Sequence, residues 1–315
     1  MLRATKLRDL PADFGESVVT IGNFDGVHRG HAALLASVVE LARERGATSV
    51  AVTFEPHPLR VLFPDRAPTL ISSSTERLEL LEATGLDAVL VLPFTTELAA
   101  LTPEEFVREF FVDGLHATAV VVGRDTRFGV NNSGDVDTLR ALGETFGFDV
   151  RVLADVGEGH RISSTEVRSA LGDGEVDRAA TVLGRPHEVR GEVVMGLQRG
   201  RELGFPTANL SPEPEGMVPA DGVYAGWLER ESLPADDPEH RMPAAISVGT
   251  NPTFDDVPQR TVEAYVLDRD DLDLYGETVR VQFVQRLRGN TKFDSIDALI
   301  EQMTRDVDAA RDLLR

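Results

Sequence analysis

Apolar runs of strand length alternate with amphipathic segments over the first half of the chain. The apolar runs predict buried strands at 17–22, 48–54, 87–94, 117–123 and 148–153. Between them, segments with a helical period predict helices at 31–46, 73–85, 102–114 and 135–146. Apolar strands that alternate with helices indicate a parallel sheet covered on both faces. We therefore expect a Rossmann-like α/β domain.

Helix-start signals support two of these helices. Ser73 and Glu76 have the spacing of a capping box, in which each side chain accepts from the other's backbone N–H. Thr102 is expected to be an N-cap, with Pro103 in the first helical position and Glu105 in the third.

The pattern changes near Gly184-Arg185-Pro186. Short strand-like runs follow, separated by segments rich in Pro, Gly and Asp, at 188–194, 222–229, 243–249, 260–268 and 277–284. This spacing is typical of an antiparallel β-barrel. A last helix is predicted over 294–314, with Asp294 as its N-cap. The sequence therefore divides into residues 1–184 and 185–315.

Composition narrows the class of protein. The 315 residues are 42% hydrophobic and 27% charged, which is ordinary for a soluble globular chain. Without cysteine there are no disulfides or thiolate metal sites, which fits the cytoplasm. No apolar run has membrane-spanning length. The net charge of −21 argues against broad nucleic-acid binding, and small-molecule ligands are expected. A homo-oligomer is compatible with these properties.

The stretch "GNFDGVHRGH" (22–31) joins the first strand to the first helix. Gly22 ends the strand, while Gly26 and Gly30 permit tight turns or close approach to a ligand. Ligands of doubly wound sheets lie at this edge, beside helix N-termini that favour anions. His28 and His31 are three residues apart and so face the same way on a helix. Together these features favour a phosphate site.

The two histidines have two other interpretations. A spacing of three could hold zinc, but no further ligand is evident at metal spacing. The histidines could also simply cap the helix. The stretch fits neither the Walker loop nor the dinucleotide-binding fingerprint.

A second segment, "RISSTEVRSAL" (161–171), has similar chemistry. Ser163 and Glu166 have capping-box spacing, and Arg161 and Arg168 flank the start of the helix. Hydroxyls, guanidiniums and free N–H groups can together bind a polyphosphate. The alternative is a well-capped surface helix.

These two segments resemble the GxFDxxHxGH and ISSTxxR signatures of the HxGH nucleotidyltransferases. Their order, with "TFEPHP" (53–58) between them, resembles the bifunctional riboflavin kinase/FAD synthetase family of prokaryotes. The resemblance implies that the N-terminal domain transfers AMP from ATP to FMN, giving FAD and pyrophosphate. It implies ATP contacts, with His28 and His31 catalytic, at Gly22, Asn23, Phe24, Asp25, His28, His31, Asp125, Arg161, Ser164, Thr165 and Arg168.

The flavin contacts implied by the resemblance are aromatic. Phe54, Phe63 and Phe128 are the candidates, because an aromatic face suits the planar isoalloxazine. The alternative for each is core packing. In "GRDTRFG" (123–129) the family usually has an aromatic residue after the Asp or Asn, whereas this chain has Thr126.

The segment "GLQRGRELGFPTANL" (196–210) is the most distinctive of the second half. Gly200 and Gly204 loosen the backbone, and Pro206 restrains it. Thr207 and Asn209 offer neutral oxygens that suit Mg²⁺ beside phosphates. The alternative is a glycine-rich turn without a ligand.

This segment resembles the GRxLGFPTAN motif of riboflavin kinases, and the likeness continues through 221–227, 248–254, 262–268, 274–283 and 287–293. It implies a six-stranded barrel with a C-terminal helix. It assigns Gly200, Gly204 and Pro206 to the ATP site, Thr207 and Asn209 to the magnesium nucleotide, and Glu263 to the role of catalytic base. The alternative for Glu263 is an outward-facing strand residue.

Three functions follow in order of preference. The first is the bifunctional enzyme, which uses ATP and Mg²⁺ to convert riboflavin to FMN and then to FAD. A second is an HxGH transferase with another acceptor, such as a pyridine or pantetheine phosphate, against which the C-terminal motifs argue. The third is a non-enzymatic flavin-binding protein, a hypothesis for which Thr126 is the only hint.

Overall fold

A computed structural model describes residues 1–154, 162–196, 200, 203–250 and 260–315. The chain divides into two compact units. The first comprises Met1–Pro68 and Ser74–Ser163, and the second comprises Thr69–Ser73 and Ser164–Arg315. Among the described residues, no helix has the length and apolarity needed to cross a bilayer.

The first unit is built on a six-stranded parallel sheet. Its strands are β1 (Leu2–Ala4), β2 (Ser17–Ile21), β3 (Thr48–Glu55), β4 (Ala88–Pro93), β5 (Ala117–Gly123) and β6 (Asp149–Leu153). They lie in the order β1-β4-β3-β2-β5-β6, and every neighbouring pair is parallel. The predicted parallel sheet is confirmed, with β1 as an edge strand too short to stand out as an apolar run.

Helices and turns connect these strands. The helices are α1 (Arg29–Arg45), α2 (Pro58–Leu62), α3 (Ser74–Ala83), α4 (Thr96–Ala100), α5 (Pro103–Phe106) and α6 (Val136–Phe146). Thr102 caps α5 in a capping box with Glu105, as predicted. The predicted helix over 102–114 continues beyond α5 as π-helical turns, Val107–Gly114, which bury Val107, Phe110 and Phe111.

Alternating strand residues supply a core on each face of the sheet. On one face, Val19, Val50 and Val120 pack with the aromatic side chains of 106–111. On the other, Val18 and Ala51 pack against α1, including its fully buried Leu35. The sheet is therefore covered on both sides, which explains why its strands are apolar at successive positions.

The second unit is a closed barrel with helices on its outside. Its elements are α7 (Ser164–Asp173), α8 (Val176–Leu183), β7 (His187–Val194), β8 (Ala208–Leu210), β9 (Gly222–Arg230), β10 (Arg241–Gly249), β11 (Thr261–Val266), β12 (Thr278–Arg288) and α9 (Ile296–Leu313). The six strands close in the order β10-β11-β8-β7-β12-β9, with antiparallel neighbours. The predicted barrel and C-terminal helix are confirmed. Strand β8 was not predicted, because it has three residues and one of them is Asn209.

The helices α7 and α8 pack with the barrel, whereas the sequence-based division at 184/185 left them in the first domain. The backbone N–H of Ala220 donates to Leu171 O at 2.9 Å. The Arg286 guanidinium donates to Asp173 O at 3.1 Å and to Asp221 O at 2.6 Å. Helical periodicity shows that a helix has an apolar face but not which element covers it.

A buried ion pair fastens α9 to the barrel. The Asp306 side chain, 8% exposed, accepts from Arg288 of β12 at 2.7 Å and from Gln302 at 2.9 Å. The prediction that Asp294 caps this helix is wrong. Ser295 is the N-cap, because its side chain accepts from the backbone N–H of Ala298 at 3.2 Å.

We expect Asp306→Ala to lower the melting temperature of the barrel by several degrees. Removing one partner of a buried ion pair leaves the Arg288 charge uncompensated, which costs about 3 kcal/mol or more. Trp227 lies in β9 and is the single tryptophan of the chain, so its fluorescence follows unfolding of the barrel. The control is Glu301→Ala, which removes an exposed ion pair with Arg305 on the same helix. Equal shifts in the two variants would contradict the anchoring role.

Candidate active sites

The turn between β2 and α1 has an unusual backbone. Phe24, Gly26 and Val27 have positive φ angles of 50°, 76° and 35°. Phe24 is nonetheless 1% exposed, and a Cβ at Gly22 would lie 3.1 Å from its ring. Non-glycine residues adopt such angles at an energetic cost, and they concentrate at functional sites. The turn therefore has a strained backbone, with positive φ angles at two non-glycine residues, which an ordinary strand-to-helix connection does not require.

The two histidines of the turn stack on each other. His28 is the N-cap of α1, and its Nδ1 accepts from the backbone N–H of His31 at 3.2 Å. The ring centroids are 3.6 Å apart with an interplanar angle of 15°. A Cβ at Gly30 would lie 3.2 Å from the His28 ring, so this glycine makes room for the stack. The helix begins at Arg29, two residues before the predicted start, because His28 caps it.

The surroundings favour a neutral His31. Burial and, to a smaller extent, the neighbouring His28 hold the pKa of His31 well below its ordinary value of 6.5. Its Nδ1 is buried and has no hydrogen-bond partner among the described residues. The ring meets the edge of Phe24 with 5.3 Å between centroids. The pair thus presents imidazole nitrogens beside a helix N-terminus, where an anion is favoured.

The end of β3 extends this site. The Asn23 side-chain amide lies 3.3 Å from His57 Nε2, and Thr53 Oγ1 donates to Asn23 O at 3.2 Å. His57 is buried and caps α2 by accepting from the Leu59 N–H. Sequence reasoning included "TFEPHP" in a family pattern but gave His57 no role. The sequence could have indicated His57 as a site residue, because it follows the end of a predicted strand and directly precedes Pro58.

The other nucleotide candidates belong to other elements of the chain. Ser164, Thr165 and Arg168 belong to α7 in the second compact unit, where Arg168 Nε donates to Thr69 O at 2.8 Å. Arg161 lies outside the described residues. Asp125 is exposed in a turn after β5 that is closed by the Thr126 N–H donating to Gly123 O at 3.2 Å.

The three phenylalanine candidates differ in exposure. Phe128 is 6% exposed and packs with Phe106 in the core. Phe54 is half-buried and meets Phe94 edge to face, with 5.4 Å between ring centroids. Phe63 follows α2 and is 52% exposed. Packing therefore accounts for Phe128, whereas Phe54 and Phe63 keep accessible ring surface.

A second polar cluster lies where β8 pairs with β11. The pairing of β8 with β11 places Asn209 opposite Glu263. Thr207 Oγ1 lies 3.4 Å from Glu263 Oε2, and Asn209 Nδ2 donates to Thr207 O at 3.1 Å. Alternation along β11 buries Val262 and Ala264 and turns Glu263 to the opposite face. Glu263 therefore lies on the face of β11 opposite to these buried side chains, which agrees with the alternative of an outward-facing strand residue. Its carboxylate also lies beside Thr207, and its strand position is opposite Asn209; these are the two predicted Mg²⁺ ligands.

The Glu263 carboxylate is tuned by opposing effects. Burial raises its pKa above the ordinary value of 4.5, while hydrogen bonds from Thr261 and Thr207 offset part of the rise. The Thr261 hydroxyl lies 3.1 Å from Glu263 Oε1. Thr261 was not singled out from the sequence, because a threonine at a strand start is ordinary. A carboxylate whose pKa is raised is a stronger base than an exposed one.

The donor set of this cluster fits Mg²⁺. The Thr207 hydroxyl, the Asn209 amide oxygen and the Glu263 carboxylate are hard oxygens of the kind that Mg²⁺ prefers. Across the described part of the chain, no cluster of three or more His, Asp or Glu could hold a metal by itself. A magnesium ion here would therefore keep waters and use nucleotide phosphates as ligands.

The glycine-rich loop before β8 is folded back on itself. The Phe205 N–H donates to Gly200 O at 2.7 Å, and a Cβ at Gly200 would collide with Phe205 O. Gly204 has a φ of 86°, and Pro206 follows directly before the cluster. The close turn thus delivers Thr207 to the start of β8. Residues 197–199, 201 and 202 lie outside the described residues.

Comparison with known proteins matches each half of the chain to a different family model. Residues 10–166 match FAD synthetase, and residues 183–314 match riboflavin kinase. The bifunctional riboflavin kinase/FMN adenylyltransferase of Escherichia coli strain K12 is 39% identical over 94% of this chain and 92% of its own length. The enzyme of that name from Pseudomonas fluorescens is 38% identical over 98% and 96%.

One solved structure is similar to this chain over nearly its whole length. A crystal structure described as a macrolide-efflux protein from Streptococcus pneumoniae is 33% identical, with a TM-score of 0.85 over 98% of both chains. An α/β unit and a closed barrel that match these two family models define a two-domain transferase. The chain belongs to the bifunctional riboflavin kinase/FMN adenylyltransferase family. The predicted family and pair of activities are confirmed, and riboflavin, FMN and FAD fit these names.

We expect His31 to make the first unit less stable in acid. Because the folded state holds the His31 pKa below 6.5, the unfolded chain takes up the proton first as the pH falls through that value. Stability is therefore lost as the pH drops below 6.5, and His31→Asn should flatten this dependence. Thermal unfolding followed by circular dichroism over a pH series measures the slope. His116→Asn, which replaces an exposed histidine of the same unit, is the control, and an unchanged slope in His31→Asn would refute the expectation.

Proposed function

We propose that the two reactions run at two separate sites, one for each set of phosphate-handling side chains. In the first unit, FMN attacks the α-phosphorus of ATP, forming FAD and releasing pyrophosphate. In the barrel unit, the ribityl 5′-hydroxyl of riboflavin attacks the γ-phosphorus, forming FMN and ADP. The observation that carries the proposal is that the His28–His31 stack and the Glu263 cluster belong to different compact units.

For adenylyl transfer, His28 and His31 stabilise the charge that develops at the α-phosphate. A neutral imidazole still carries one N–H donor, and the N-terminus of α1 adds its favourable potential. Gly22, Asn23, Phe24 and Asp25 shape the turn that receives the nucleotide. Following the family pattern, Arg161, Ser164, Thr165 and Arg168 hold the triphosphate. No covalent intermediate is required.

The flavin of this site is placed against the exposed aromatic rings. Phe54 and Phe63 contribute ring surface, and Phe128 supports the region from the core. In the turn after β5, Asp125 contributes a polar contact to ATP. The usual aromatic residue is replaced by Thr126, so the flavin is held here with one ring contact fewer.

For phosphoryl transfer, Glu263 accepts the proton of the ribityl hydroxyl. Thr207 and Asn209 hold the magnesium nucleotide, and Gly200, Gly204 and Pro206 shape the loop around its phosphates. When bound, Mg²⁺ supplies charge neutralisation between the phosphates. The raised pKa of Glu263 strengthens it as a base while Thr261 and Thr207 orient its oxygens.

The remaining proposals concern the whole chain. We divide its functions at 184/185, near the start of the riboflavin kinase match at residue 183. The acidic, cysteine-free composition supports a cytoplasmic enzyme of small molecules that does not bind nucleic acid.

We expect Glu263→Gln and His31→Asn to separate the two activities. Glu263→Gln removes the base and should lower FMN formation by about 10² or more. His31→Asn removes a charge-stabilising donor and should lower FAD formation from supplied FMN by about 10² to 10³. Each variant should keep the other activity within about twofold, since substitutions in different compact units that share no partner behave independently. Chromatography of the flavins formed with ATP and Mg²⁺ measures both rates.

The unmodified protein is the reference in this assay. FAD formation from riboflavin through FMN supports the proposal. Loss of both activities in either folded variant would refute the two-site model. Flavin binding without turnover, or adenylylation of another phosphate acceptor alone, would favour one of the other two functions.

We expect Thr261→Val to shift the pH dependence of the kinase. The Thr261 hydrogen bond lowers the pKa of Glu263, so its removal raises that pKa further. The base must be deprotonated to act, and the acidic limb of kcat/KM for riboflavin should therefore move to higher pH. Thr278→Val, at the start of β12, is the matched strand control. An unmoved limb would show that Glu263 does not set it.

A further inference from the structure

Arg77 of α3 is a buried arginine that the reactions above do not use. It is 3% exposed, whereas most arginines keep their guanidinium in water. Nη1 donates to Asn23 O at 3.3 Å, and Nη2 donates to Phe54 O at 3.2 Å. Nη2 also pairs with Glu55 Oε2 at 2.7 Å. One guanidinium therefore joins two neighbouring strand ends.

The acceptors of Arg77 lie where both substrates are expected. Asn23 follows β2 and opens the nucleotide turn, and its side chain meets His57. Phe54 and Glu55 are the last residues of β3, and Phe54 is a candidate flavin contact. Asn23 and Phe54 are far apart in sequence, and the backbone carbonyl of each accepts a hydrogen bond from Arg77.

Arg77, Glu55 and Ser74 form a cluster that we call the clamp. Ser74, at the start of α3, donates its hydroxyl to the same Glu55 carboxylate that Arg77 engages. Glu55 neutralises the guanidinium, so Arg77 adds geometry to the site rather than a free positive charge. The polar contacts of Arg77 are therefore directed at the two strand ends, while its Nε is buried without a hydrogen-bond partner among the described residues.

We propose that Arg77 is a positioning residue for adenylyl transfer, which rests on the function proposed above. It fixes the spacing between the nucleotide turn at Asn23 and the flavin segment at Phe54, and acts on both substrates through these residues. The planar guanidinium is suited to this because its donors diverge in a fixed fork. A lysine keeps the charge but cannot reach both carbonyls with the same rigidity.

The test compares Arg77→Lys with Arg45→Lys. Arg45 also bonds a backbone carbonyl and a carboxylate in the first unit, but at the far end of α1. We expect Arg77→Lys to lower kcat/KM for FMN adenylylation by about ten- to a hundredfold, since small misplacements have such effects. The KM values for ATP and FMN should both rise. Riboflavin phosphorylation in the same preparation, and both activities of Arg45→Lys, should stay within about twofold.

Each outcome decides between the explanations. Unchanged KM values for ATP and FMN in Arg77→Lys, or a parallel loss of kinase activity, would overturn the positioning role. If Arg77→Lys does not fold, Glu55→Gln decides in the same assay, because it keeps the shape of the clamp but removes its ion pair. Raised KM values in that variant support the role, and unchanged ones overturn it. If the unmodified protein does not adenylylate FMN, the proposed function fails instead.

Discussion

The turn between β2 and α1 depends on one hydrogen bond, from the backbone N–H of His31 to His28 Nδ1. It fixes where α1 begins, because a capped N-terminus ends the preceding turn. It also accompanies the stacking of the two imidazoles, and a Cβ at Gly30 would lie only 3.2 Å from the His28 ring. Burial, with a smaller effect of His28, holds the pKa of His31 well below its ordinary value. Helix start and ring geometry therefore meet in one local contact.

In the barrel, strand pairing rather than a helix cap fixes the positions of the candidate side chains. Antiparallel registry sets Asn209 opposite Glu263, so the cluster is held by the same backbone hydrogen bonds that close the barrel. Side chains mounted on paired strands are held more precisely than side chains on loops. The Gly200 turn then has only to deliver Thr207 to the strand start.

Sequence patterns predicted the architecture well, because strands buried on both faces are apolar and barrel strands alternate. The patterns failed where an element was too short to show a period, or where a residue stands out only through its contacts in the folded chain. Strand β8 has three residues, and the N-cap of α9 was missed by one position at Ser295. The candidate site shows the same limit. Motifs located the candidates His28, His31, Thr207 and Glu263. His57 and Arg77 stand out only through contacts with Asn23, which is distant in sequence, whereas Thr261 contacts Glu263 two positions further along the same strand.

The packing of α7 and α8 has a consequence for the history of such chains. The buried faces of these helices, with Val167, Leu171 and Val182 among their residues, belong to the compact unit of the barrel. A genetic exchange near Gly184 would separate them from the strands that cover them and expose apolar surface. Recombination at that point would therefore yield poorly folded products. The boundary proposed at 184/185 is thus a costly place to break the gene, and selection would tend to pass both halves on together.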